Sequence, residues 1–88
     1  MADKGSILFF GRLSDVAGRS EAPMPAFEGV VEVDELIELL AKGAPVLANV
    51  LRAPEIRVCV NLEILARGQS AFITSRDEVA FLPPMSGG

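Results

Sequence analysis

Few side chains in this sequence could do chemistry. Histidine is absent, which removes the imidazole general base, the Ser-His-Asp and Cys-His arrangements and the usual ligands of a catalytic zinc. The single cysteine, Cys59, excludes an internal disulfide and any multi-cysteine metal site, so no metal site is expected. A thiol could carry sulfur as a persulfide. Cys59, however, stands between Val58 and Val60 in a strand-prone run, where apolar burial raises a thiol's pKa and suppresses its reactivity. Asp77 and Glu78 form an acidic pair, but a turn in front of a strand accounts for them, with contact to basic groups of a partner as a second use. The remaining candidate is the end of the chain, Pro83-Pro84-Met85-Ser86-Gly87-Gly88.

Two prolines fix φ near −65° and favour an extended polyproline path, and glycines without Cβ atoms pass through channels too narrow for other residues. A six-residue extended segment reaches roughly 20 Å. Its reactive group is the α-carboxylate of Gly88, a poor electrophile that becomes reactive as an acyl adenylate. A rigid spacer, a slender tip and a terminal carboxylate together describe a carboxyl-terminal carrier. Frayed ends are common at chain termini, so an inert tail is the competing reading.

The elements that must hold this tail are those of one small domain. The chain has 88 residues, half of them apolar and 23% charged, which is too short for two cores and too apolar for disorder. The net charge of −4 leaves no basic stripe for nucleic acid. No apolar run approaches the ~20 residues of a membrane span. The start, Met1-Ala2-Asp3-Lys4, lacks the apolar block of a secretory signal, so neither nucleic acid nor membrane is an expected partner and a cytoplasmic location is expected.

Ile7-Leu8-Phe9-Phe10 reads as a strand buried on both faces, closed by Gly11. Phe9 and Phe10 then face opposite sides, one in the core and the other extending an apolar patch. Ser14 opens a short helical turn that Gly18 ends. Pro23 and Pro25 confine any strand across 21–28 to a sheet edge. Val33, Leu36, Ile37 and Leu40 follow the spacing of one buried helical face, predicting a helix from Val33 to Lys42 that Gly43 stops. A shorter helix fits Val46 to Leu51, after Pro45. Ile56 to Val60 alternates as a strand, Asn61-Leu62-Glu63 turns, and Ile64 to Ala66 returns. Glu78-Val79-Ala80-Phe81-Leu82 is the last strand, and it may pair in parallel with the first. This order predicts an α+β roll, with residues 1–82 as the body and 83–88 as an extended tail.

The terminal run FLPPMSGG, from Phe81 to Gly88, resembles that of the small, sulfur-carrying subunits of molybdopterin synthase, of the MoaD/ThiS type. The run ILFFGRLSDVAG, from Ile7 to Gly18, resembles their first strand and following turn, and Val60-Asn61 and Asp77-Glu78-Val79 fall where their hairpin and pre-terminal turn lie. The likeness spans Ile7 to Gly88. Two positions depart from it: Glu32 stands where a Ser or Thr helix cap is usual, and Met85 where Val is common.

The resemblance implies a ubiquitin-like β-grasp, a mixed sheet packed on one main helix with a flexible Gly-Gly tail. It further implies that Gly88 is adenylated by an E1-like activating enzyme using ATP and Mg²⁺, then converted to a thiocarboxylate by a sulfur donor protein. Residues Pro83, Pro84, Met85, Ser86 and Gly87 would thread a tunnel in the large subunit, with Phe81 and Leu82 anchoring the root of the tail at the interface. Sulfur would pass to precursor Z, cyclic pyranopterin monophosphate, building the dithiolene of molybdopterin in a heterotetramer of two large and two small subunits. The chain itself would bind no cofactor. A carrier for thiamine synthesis or tRNA thiolation, and a β-grasp binding module with an inert tail, are the alternatives.

Overall fold

The computed structural model describes residues 4–66 and 69–84. Strand β1 (Ser6–Phe9) leads into α1 (Leu13–Ala17) and the edge strand β2 (Glu21–Pro23). Strand β3 (Val31–Glu32) feeds directly into α2 (Val33–Leu40), followed by α3 (Pro45–Leu51). The second half contains β4 (Arg57–Val60), β5 (Glu63–Ile64), β6 (Phe72–Ile73) and β7 (Glu78–Leu82). Five strands form one sheet in the order β2-β1-β7-β4-β5, while β3 and β6 pair separately.

The first and last strands lie side by side in parallel, with Ile7 opposite Val79 and Phe9 opposite Phe81. Residues that face each other across a ladder share a side of the sheet. Ile7, Phe9, Val79 and Phe81 accordingly meet Leu36 and Ile37 of α2, Leu13, Leu51, Met24 and Ile73 in one core. The buried pair Leu36 and Ile37 lies on the apolar face that the spacing predicts for α2, although the helix ends at Leu40, two residues before Lys42. The tail-bearing strand β7 is flanked on both sides, by β1 in parallel and β4 in antiparallel.

The structure departs from expectation in several places. Strand β1 is buried on one face only: Ile7 and Phe9 are inside, while Ser6 and Leu8 are half-buried on the other side. The turn of the β4–β5 hairpin has two residues, Asn61 and Leu62, both with positive φ (50° and 74°), and β5 is only Glu63–Ile64. Ser14 lies inside α1, where its hydroxyl donates to the Gly11 carbonyl at 2.9 Å in place of capping an N–H. At the start of α2, Glu32 replaces the usual hydroxyl cap, and its own N–H donates to Glu35 Oε1 at 3.1 Å, one half of a capping box. Arg52, just past α3, donates through Nε to Asp34 at 2.7 Å and through Nη2 to Glu38 at 2.6 Å, tying the two helices together. Glu38 first and Asp34 second hold its guanidinium above its ordinary pKa.

Candidate functional site: the root of the C-terminal tail

The tail leaves from the middle of the main sheet. Phe81 is fully buried and its ring stacks on Phe9, with centroids 6.0 Å apart and planes 12° from parallel. The Phe10 N–H donates to the Phe81 carbonyl at 3.1 Å, carrying the β1–β7 ladder to the end of the strand. Its register with Phe9 turns the Phe81 side chain into the core, so the packing reading of this residue holds and the ring presents no exposed surface to a partner in this structure. Leu82 points to the opposite side, half-buried, in register with Arg57. Pro83 is half-buried and Pro84 is exposed. Met85, Ser86, Gly87 and Gly88 lie outside the described residues.

On the side of the sheet away from α2, apolar residues form a row across the strands, with Ser6, Glu21, Arg57 and Glu78 on the same face. Ala80 lies between Leu8 and Cys59, Cys59 faces Ile64, and Leu82 ends the same row. Ile64 is 58% exposed, and Phe10, just beyond β1, is 46% exposed. This resolves the two phenylalanines: Phe9 is core and Phe10 is surface. Cys59 belongs to this open side and is half-buried, which corrects the expectation that it is enclosed in apolar packing. The signal was present in the sequence, since Leu8, Cys59, Ala80 and Leu82 are all apolar at alternate positions. Without knowledge of the layers, that pattern reads as burial on both faces.

Of the acidic pair, Asp77 serves the fold through its side chain and Glu78, the first residue of β7, through its backbone. Asp77 accepts from the Thr74 N–H at 2.8 Å and from Asn61 Nδ2 at 3.0 Å, while Asn61 Oδ1 accepts from the Glu78 N–H at 3.0 Å. Partial burial pushes the Asp77 carboxyl up, but the bonds from the Thr74 backbone, the Asn61 amide and the Thr74 side chain outweigh it and hold the carboxyl below its ordinary value. Asp77 thus joins the β4–β5 turn to the start of the tail-bearing strand and is already occupied.

A groove of about 600 Å³ lies between the start of α2, the end of α3 and β4, and no residue of the tail root lines it. Arg52 there is paired with Asp34 and Glu38, and Arg57 Nη2 donates to the Leu65 carbonyl at 3.0 Å. Among the described residues, no group of three or more Cys, Asp or Glu side chains could hold a metal, and no helix is long and apolar enough to cross a membrane.

A small mixed sheet on one main helix, with its central strand running out into the C-terminal tail, defines a ubiquitin-like β-grasp protein, and the solved structures agree. Small archaeal modifier protein 1 from Haloferax volcanii superposes with a TM-score of 0.74 at 26% identity, covering 97% of this chain and 99% of that one. The solution structure of small archaeal modifier protein 1 from Methanosarcina acetivorans gives 0.74 at 23% identity over 98% and 97% of the two chains. The sequence carries the assignment further. The ThiS family model matches residues 7–88, and the chain belongs to the ThiS family. A curated relative, the molybdopterin synthase sulfur carrier subunit of Dictyostelium discoideum, is 31% identical over 90 residues and covers 100% of both chains.

Proposed function

We propose that this chain is the sulfur-carrier subunit of a molybdopterin synthase, acting through the carboxylate of Gly88. The observation that carries the reading is the Pro83-Pro84-Met85-Ser86-Gly87-Gly88 ending, which follows directly on the doubly flanked strand β7. The full-length relative named as a sulfur carrier supports it. An E1-like enzyme with ATP and Mg²⁺ joins the Gly88 carboxylate to AMP and releases pyrophosphate. The outer sulfur of a persulfide on a donor protein attacks the acyl carbon and AMP leaves; a thiol then cleaves the S–S bond of the acyl disulfide, itself ending as a disulfide, and the terminus becomes a thiocarboxylate. The thiocarboxylate is a stronger nucleophile than a carboxylate at neutral pH; its sulfur bonds to cyclic pyranopterin monophosphate, water cleaves the acyl carbon–sulfur bond and returns Gly88 to a carboxylate, and two such transfers complete the dithiolene.

The body of this chain does two things in that scheme. It holds the start of the tail in the centre of a sheet, and it offers the apolar row Leu8, Cys59, Ala80, Leu82 and Ile64 to the large subunit, whose pocket receives the tail. Residues 83–88 act as the tail and the rest as the body. The chain is half of a cytoplasmic enzyme, assembled as two small and two large subunits, and it binds no cofactor of its own.

Removing Gly88 tests the reading. In a reconstituted synthase with activating enzyme, ATP, Mg²⁺ and sulfur donor, the truncated chain is expected to retain its fold and its affinity for the large subunit while forming no molybdopterin. Normal product formation by the truncated chain would point to a binding module with an inert tail. Thiocarboxylate formation on the intact chain, assayed in parallel, without transfer to the pterin precursor would point to a carrier for thiamine synthesis or tRNA thiolation.

A further inference from the structure

The β1–α1 corner approaches Pro83 through a residue without a side chain. Gly11 has φ +57°, and a Cβ built on it would lie 2.9 Å from Pro83 Cγ, with Pro83 Cδ and Cβ at 3.8 and 3.9 Å. The Pro83 ring therefore rests where any other residue at position 11 would place a methyl group. The ledge beneath it is firmly held. The Gly11 carbonyl accepts both the Ser14 N–H at 3.1 Å and the Ser14 hydroxyl at 2.9 Å, and the Leu13 N–H donates to Phe10 O at 3.1 Å. On the other side of the contact, the Phe10 N–H holds the Phe81 carbonyl. The pairing with β1 thus fixes the chain at Phe81 and the pairing with β4 fixes it at Leu82, and the next contact is the proline ring on Gly11.

We propose that Gly11 is a positioning residue for the tail: the notch left by its missing side chain seats the Pro83 ring and sets the direction in which the chain leaves the sheet. Proline suits this seat because its ring has few conformations and its φ is fixed, so one contact orients the following bond. A larger residue at position 11 displaces the ring and redirects the chain, although it touches neither Gly88 nor the reacting atoms. If the redirected root is correctly aimed one time in ten, the apparent affinity for an enzyme that must accept the tail falls by the same factor. The functional consequence rests on the carrier reading above, whereas the seat itself does not.

The test is a double-mutant cycle on the full chain with Gly11→Ala, Pro83→Ala and the double substitution. Three readouts are taken: thermal stability, the nuclear Overhauser contact between residue 11 and the Pro83 ring, and the KM and kcat of thiocarboxylate formation by the activating enzyme. Gly11→Ala also strains a positive φ, a cost that is the same with or without the proline ring. The cycle cancels this cost. Gly11→Ala is expected to weaken or shift the ring contact and to raise KM about tenfold with kcat little changed. In the Pro83→Ala background, adding Gly11→Ala is expected to leave KM unchanged. An equal rise in KM in both backgrounds, or an unaltered KM in Gly11→Ala despite loss of the ring contact, would overturn the positioning role. If the unsubstituted chain forms no thiocarboxylate at all, the carrier reading fails. The seat is then judged by the ring contact alone, present in the unsubstituted chain and lost in Gly11→Ala if the notch exists, absent from both if it does not.

Discussion

Truncating Phe81 separates support of the tail from contact with a partner. The ring is fully buried, stacks on Phe9 and lies in the same core as Ile7 and Val79. Replacing a buried phenylalanine by alanine removes its transfer free energy and leaves a cavity, together about 3–5 kcal/mol. A domain of 88 residues has in all about 4–13 kcal/mol of stability. Phe81→Ala is therefore expected to lower the melting temperature by at least about 15 °C or to leave the chain unfolded. Phe81→Leu keeps apolar contact but loses the stack and part of the volume, and is expected to cost about 1–2 kcal/mol while remaining folded. Urea titration followed by circular dichroism gives both values. Leu82→Ala is the counterpart: its half-buried side chain on the open face should cost about 1 kcal/mol yet weaken binding to the large subunit severalfold by calorimetry. The reasoning is refuted if Phe81→Ala costs less than about 1 kcal/mol while binding is lost, because Phe81 would then be the interface anchor.

Three further perturbations test the framework around the tail. Gly5→Ala brings a Cβ to about 2.0 Å from the Asp77 carbonyl, and is expected to destabilise by about 1–3 kcal/mol or more as the two segments separate; an unchanged urea midpoint would contradict that close approach. Asn61→Ala removes hydrogen bonds to Asp77 and Glu78 and should cost about 1–3 kcal/mol at neutral pH. Because the folded Asp77 carboxyl titrates below its ordinary 3.8, its contribution is complete above that pH and is lost as pH falls through the lowered value. The gap between Asn61→Ala and the unsubstituted chain should therefore narrow below about pH 4, and a gap constant from pH 6 to about 2.5 would count against it. Cys59→Ala should retain full sulfur transfer, since the proposed sulfur site is the terminal carboxylate; a folded variant unable to transfer sulfur would place the cysteine in the path.

The sequence disclosed those features whose signal is local and repeated. The apolar spacing of α2 marks its buried face, and Gly18 after Ala17 marks the end of α1. Strand β7 is legible because five β-compatible residues follow a polar turn. The β3–β6 pair is not, since strands of two residues show no period, and Val31 and Ile73 meet only after the intervening helices are placed. The side of the sheet taken by Cys59 depends on the register Cys59 to Ala80, a long-range pairing that composition does not encode. Phe81 illustrates the same limit: alternation separates it from Leu82, but only the stack on Phe9 decides which of the two is inside. The role proposed for the tail is the reverse case: it rests on residue types alone, two prolines and two glycines before a terminal carboxylate. The contact of Pro83 with Gly11 could be found only in three dimensions, as the two residues are brought together by the parallel pairing of the first and last strands.

The most direct test of the carrier reading is peptide-level mass spectrometry of the C-terminus after incubation with activating enzyme, ATP, Mg²⁺ and sulfur donor. Replacement of oxygen by sulfur has nearly the nominal mass of methionine oxidation, and Met85 lies in the same peptide, so the new thioacid is alkylated before digestion. The expected result is an alkylated sulfur on Gly88, dependent on ATP and absent from a chain lacking that residue. An unmodified Gly88, with a control carrier thiocarboxylated in parallel, would contradict it.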